Sequence, residues 1–176
     1  RDEQILVDFI QEENPKNWKF IFAPHQIKTA NLEALERKIQ FPTLRYSEAT
    51  TTKAGAAKVL LIDNIGMLSS IYKYGNIAYI GGGFGAGIHN TLEPIAFGLP
   101  VIFGPKYQKF EEARFLIENG GGFVIRDEQD LIQIFRQLQK KENYAQASFT
   151  AKSYVEENKG GSRKIIEQIL PLLSGE

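Results

Sequence analysis

The sequence predicts an α/β fold built on a doubly wound parallel sheet, and three observations predict it. Short apolar runs alternate with amphipathic helical stretches along the whole chain. The runs Val59-Leu60-Leu61-Ile62 and Ile77 to Ile80 are continuously apolar, as strands buried on both faces are. A glycine-rich segment then joins the second of these runs to a helical stretch. Regular strand–helix–strand alternation implies parallel strands with helices on both faces.

Asp2 to Glu12 is predicted to be helical, because Ile5, Leu6, Phe9 and Ile10 recur at helical spacing. Trp18 to Ala23 follows as a strand ended by Pro24-His25. Thr29 to Ile39 is a helix with Leu32, Leu35 and Ile39 on one side. Thr43 to Tyr46 is a short strand, and Thr50 to Gly55 a polar loop. Asp63 to Gly66 turns into a helix from Met67 to Tyr74. Beyond the glycines a helix is expected from about Asn90 to Phe97, closed by Gly98-Leu99-Pro100. Val101 to Phe103 is the next strand. Phe110, Ala113 and Ile117 mark a helix, Gly122 to Ile125 a strand, and Leu131, Ile132, Phe135 and Leu138 another helical face. Tyr144 to Leu173 reads as helix with a break near Gly160-Gly161. The chain opens on a helix where a doubly wound domain usually opens on a strand, so a missing first strand is expected.

The 176 residues are 43% hydrophobic and 24% charged, which fits one globular domain. A chain of this length buries roughly 70% of its unfolded surface without staples. Lys plus Arg number 21 and Asp plus Glu 21, so no basic excess points to nucleic acid. There is no cysteine, which excludes disulfides and thiolate chemistry. His25 and His89 are the two histidines, too few for a histidine-rich metal centre. Neither a metal nor a cofactor is expected. No window approaches the ~20 apolar residues of a membrane-spanning helix, and the polar start Arg1-Asp2-Glu3-Gln4 is no targeting peptide. The chain itself is expected to be soluble, with any membrane contact made by a larger protein.

The chemistry is expected at Gly81-Gly82-Gly83-Phe84-Gly85-Ala86-Gly87-Ile88-His89-Asn90-Thr91-Leu92-Glu93-Pro94. Five glycines in seven residues between a strand and a helix let backbone amides approach an anion, and the helix terminus adds its dipole. A dinucleotide is disfavoured: the next strand ends in Gly104-Pro105 and not in the acidic residue that would hold a ribose. Glu93 lies one turn after Asn90, so both side chains face one way. Its carboxylate either accepts two ribose hydroxyls or complements the helix dipole. His89 is an N-cap, a phosphate donor or a packed turn residue. Lys106 and Lys109 either attract an anionic donor or stand in a solvated loop.

Asp63-Asn64-Ile65-Gly66, Gly81-Gly82, His89-Asn90-x-Leu92-Glu93-Pro94, Gly98-Leu99-Pro100-Val101 and Gly104-Pro105 occur in that order. Together with Ala23-Pro24-His25 they resemble the 3-deoxy-D-manno-octulosonate (Kdo) transferases of lipopolysaccharide assembly. The resemblance implies the Rossmann-like C-terminal half of a two-domain glycosyltransferase of the GT-B type. It implies CMP-Kdo as donor, and a lipid A precursor held with the catalytic carboxylate by an N-terminal domain absent from this chain. It places His25 near the donor phosphate or sugar, Ile65, Gly66 and Met67 near the cytosine, and Asn90 and Glu93 near the ribose and sugar. Gly82, Gly83, Gly85, Gly87 and His89 complete the expected donor site. No catalytic residue is expected in this chain, and the chain alone is expected to be inactive. The full-length protein is expected peripherally at the cytoplasmic face of the bacterial inner membrane. The family often has an acidic residue where Met67 stands and two glycines where Gly87-Ile88 stand. The rival reading is a donor domain of another GT-B glycosyltransferase, or of a sugar-nucleotide epimerase, using a UDP-sugar. A non-catalytic nucleotide-binding domain is a third.

Overall fold

The computed structural model describes residues 1–160 together with 166, 169 and 170. In order the elements are α1 (Asp2–Glu13), β1 (Phe20–Phe22), α2 (Thr29–Lys38), β2 (Thr43–Arg45), α3 (Thr51–Ala56), β3 (Val59–Leu61), α4 (Leu68–Ile71) and β4 (Ala78–Ile80). Then come α5 (Leu92–Ala96), β5 (Val101–Phe103), α6 (Glu111–Glu118), β6 (Gly122–Val124), α7 (Glu128–Leu138) and α8 (Lys141–Glu157). Every strand pair is parallel. The strands form two three-stranded sheets, ordered β1-β3-β2 and β4-β5-β6. This is the expected α/β architecture, in two sheets.

Two cores explain why the helices lie where they do. In the first, Ile5, Phe9 and Ile10 of α1 and Leu131, Ile132 and Phe135 of α7 pack with strand residues of both sheets. Phe22, Val59 and Leu61 come from the first sheet and Ile102 from the second. Phe9 sits among rings, with centroids 6.1 Å from Phe20 and 5.0 Å from Phe135. Burying each such side chain contributes about 1.5–3 kcal/mol. The second core lies with α5, α6 and α8, and joins Ile80, Val101 and Phe103 to Ile95, Leu116 and Ala151. The second sheet is therefore covered on both faces.

The structure corrects several boundaries. Thr51–Ala56 is a helix where a polar loop was expected, because the Thr50 hydroxyl accepts the Lys53 amide at 3.3 Å and caps it. The helix after the glycine loop is shorter than expected, Leu92–Ala96. The tail helix begins earlier, at Lys141, and ends at Glu157, ahead of the expected break. Gly161 and most of the stretch to Leu173 lie outside the described residues.

Candidate functional site

Parallel strands put all their carboxyl ends on one side, and the loops that follow β1, β3, β4 and β5 carry the candidate residues. His25 follows β1 and His89 follows β4, and their rings meet at 5.4 Å between centroids. Asn90 donates its Nδ2–H to Glu93 Oε1 at 2.9 Å, so the two face one way, although Asn90 lies ahead of α5 and not on it. Asn90 Oδ1 accepts the Leu92 amide at 3.0 Å. His89 is not the cap; its amide donates to Gly81 O at 3.0 Å.

The glycine loop folds onto itself more than its sequence suggests. The amides of Gly85 and Gly87 both donate to Gly82 O, at 2.8 and 3.3 Å, and that of Ile88 donates to Lys106 O. With His89 already committed, four amides point inward and not at an anion. Gly82 has φ +90°, and a Cβ there would lie 2.3 Å from Gly87 O. A Cβ on Gly83 would lie 2.5 Å from the Gly104 nitrogen. The smallness of these two glycines is thus demanded by packing of the loop itself and against the segment after β5. Lys106 reinforces that join with its Nζ on Gly85 O at 2.6 Å.

Ile65, Gly66 and Met67 form the turn after β3, where Gly66 has φ +90° and Ile65 is 88% exposed. Asn64 Nδ2 contacts Met67 Sδ at 2.9 Å. Asp63 anchors this turn to the end of β2: one carboxylate oxygen accepts the Ser47 amide at 3.0 Å, the other the Ser47 hydroxyl. Burial raises the Asp63 carboxyl, but the Ser47 bonds and the nearby Arg45 charge outweigh it and hold it below the usual range. Arg45 in turn grips Glu36 of α2 with two bonds, at 2.8 and 2.6 Å.

Sequence reasoning missed Tyr72, on the connection between α4 and β4. Burial, with the Glu93 charge adding to it, pushes its phenol up to about 12, and its ring packs against the core that Ile95 of α5 enters. It also missed Thr91, fully buried, whose hydroxyl donates to Glu112 Oε1 at 2.8 Å and ties the start of α5 to α6. No local pattern marks either pairing, since each joins distant segments. Among the described residues no group of three or more metal-ligating side chains could hold an ion, and no helix is long and apolar enough to cross a membrane.

No protein-family model matches the chain. The 3-deoxy-D-manno-octulosonic acid transferase of Aquifex aeolicus is 34% identical over 123 residues, which cover 68% of this chain. In sequence, this chain is a relative of the Kdo transferases. It spans 33% of that Kdo transferase's length. A bifunctional glycosyltransferase/methyltransferase of Fusobacterium nucleatum is 25% identical over 162 residues, covering 90% of this chain and 24% of that protein. Among solved structures, the C-terminal CMP-Kdo binding domain of WaaA from Acinetobacter baumannii matches with a TM-score of 0.75 at 22% identity. The match covers 86% of this chain and 82% of that one, so this relative of the Kdo transferases shares that domain's Rossmann-like fold.

Proposed function

We propose that this chain is the donor-binding domain of a Kdo transferase, holding CMP-Kdo while an N-terminal domain presents a lipid A precursor. The observation that carries the reading is the outward-facing Asn90–Glu93 pair at the carboxyl ends of the strands, where open α/β sheets bind ligands. One Glu93 oxygen is steadied by Asn90, and the carboxylate accepts the ribose hydroxyls. Ile65, Gly66 and Met67 stand against the cytosine. His25 and His89, side by side, face the donor phosphate or sugar. The folded glycine loop, Gly82, Gly83, Gly85 and Gly87, forms the wall behind them.

Transfer of Kdo breaks the bond from its anomeric carbon to the phosphate and forms one to the acceptor oxygen. CMP leaves with the bond pair, and the acceptor hydroxyl gives up its proton to a base. Stabilising the departing phosphate is the part this chain performs. We assign the base to the N-terminal domain, a reading supported by the two nearest carboxylates already having partners, Asp63 in Ser47 and Glu93 in Asn90. The N-terminal domain supplies the base and the acceptor surface, and the full-length protein makes its peripheral contact at the cytoplasmic face of the inner membrane.

The test is acceptor-dependent CMP release from CMP-Kdo, comparing this chain with the full-length protein. The full-length protein turns over; the chain alone is slower by at least ~10²–10⁴, the usual contribution of a general base. Comparable release by the chain alone would place the base within it.

A further inference from the structure

We propose that the hollow at the amino ends of β1 and β3 is a binding site for a phosphate-bearing anion, held by Lys16, Lys19 and Lys58. Its volume is about 340 Å³, and Asn17, Trp18 and residues 55–57 at the end of α3 complete its lining. Lys19 and Lys58 stand one residue ahead of Phe20 and Val59, which pair in register, so two adjacent parallel strands bring these side chains together. Lys16 comes from the turn after α1. The carboxyl ends of the same strands lead to His25 and to the turn at Ile65, so the hollow lies at the other end of the sheet from the candidate donor site. The inference is independent of the donor reading.

Among the described residues no carboxylate neutralises these three charges. None lines the hollow, and none of the ion pairs uses Lys16, Lys19 or Lys58. The acidic residues that close α1 are committed to α7: Glu12 accepts from Gln129 at 3.4 Å, and Glu13 from Arg136 at 3.0 and 2.8 Å. Backbone carbonyls instead hold two of the ammonium groups in place. Lys19 Nζ donates to Ala54 O at 2.7 Å and to Gly55 O at 2.8 Å, and Lys58 Nζ donates to Pro15 O. Lys58 Nζ also lies 5.7 Å over the Phe20 ring. An ammonium has three N–H donors, so Lys19 keeps one for a ligand and Lys58 two. Lys16 makes no hydrogen bond or ion pair among the described residues and keeps all three.

Charge and geometry select the ligand. Three like charges around one hollow repel each other, and burial already pulls the half-buried Lys58 ammonium below its usual pKa. A bound anion relieves both. Lysine meets phosphate as a point charge, whereas a planar carboxylate suits the fork of arginine, and no arginine lines the hollow. A phosphate monoester carries about 1.5 to 2 negative charges at neutral pH and has three acceptor oxygens. It therefore matches three converging ammonium groups better than a single carboxylate does. Two sources share that chemistry, a soluble phosphate and a phospholipid headgroup.

Trp18 is the one tryptophan of the chain, so its fluorescence reports on this hollow. Titration with inorganic phosphate should shift that emission saturably, with chloride at matched ionic strength as the control. Lys16→Glu reverses an exposed charge without removing a hydrogen bond of the fold, and should weaken phosphate binding at least about tenfold. Lys58→Gln should weaken it as well. Glu93→Gln should respond as the parent does, which keeps this test apart from that of the donor site. Vesicles of phosphatidylcholine, with and without phosphatidic acid, separate the two sources. Co-sedimentation with the phosphatidic acid vesicles marks a headgroup, and a phosphate response without it marks a soluble phosphate. A response that chloride reproduces, or that Lys16→Glu leaves intact, would overturn the inference. So would silence toward phosphate and both kinds of vesicle, in fluorescence and calorimetry alike.

Discussion

Gly83 and Gly85 look alike in the sequence but not in space. A Cβ at Gly83 meets Gly104 backbone at 2.5 Å, whereas one at Gly85 stays 3.4 Å from Gly82 O. Gly83→Ala should therefore destabilise the fold by about 1–3 kcal/mol, and Gly85→Ala should leave urea unfolding unchanged; equal curves for all three proteins would contradict the packing account. Gly85→Val then separates ligand from turn: a stable variant that no longer binds CMP marks a ligand contact, and one that binds normally marks a turn. Glu93→Gln should weaken CMP binding at least about tenfold by calorimetry, since each charge-assisted hydrogen bond is worth about 1.5–3 kcal/mol. Its thermal midpoint should hardly move. The same change removes the negative charge that, after burial, raises the Tyr72 phenol, so that phenol should titrate lower than in the parent; an unmoved titration would separate the two residues. The Asn90–Glu93 pairing was legible from its spacing, but the structure makes it by a different route: Asn90 stands ahead of α5 and is held there by accepting the Leu92 amide, not by a helical turn. The Gly83–Gly104 contact was not legible, because it joins the ends of two strands and only packing reveals it.

At the scale of elements, periodicity carried most of the reading, since amphipathic spacing marks each long helix wherever tertiary packing agrees with it. α3 escaped because three threonines in a row look like a loop, yet the first of them is a good helix cap. The clamp joining the ends of β2 and β3 was equally silent, being a side-chain bond between separate elements. It has a pH signature. Asp63 and Glu36 both titrate below the usual carboxylate range, Glu36 chiefly through its hydrogen bond from Arg45. Each therefore adds stability that is present above that range and is lost as pH falls through the lowered folded value. Asp63→Asn should be less stable than the parent at neutral pH and should decline less steeply into acid; parallel acid limbs would rule out the clamp. Glu128 runs the other way. Burial, then the hydrogen bond and charge of Glu12, raise its carboxyl, so its stabilising contribution is present in acid and fades as pH rises through that raised value.

For the whole molecule, alternation of strand and helix was enough to place the fold class, because parallel strands need crossovers and helices must cover both faces. The division into two sheets was not visible, since strand order depends on pairings between distant segments. Family resemblance named the candidate residues, and the inward-turned glycine amides show that loop composition alone misstates what the loop offers an anion. In the function we propose, this fold holds a cytidine nucleotide at Asn90 and Glu93. Calorimetric titration of the full-length protein with CMP and with UDP tests it most directly, run beside Glu93→Gln. CMP should bind, UDP should bind at least about tenfold more weakly, and Glu93→Gln should lose the CMP affinity. Tighter binding of UDP, or CMP affinity untouched by Glu93→Gln, would contradict the account.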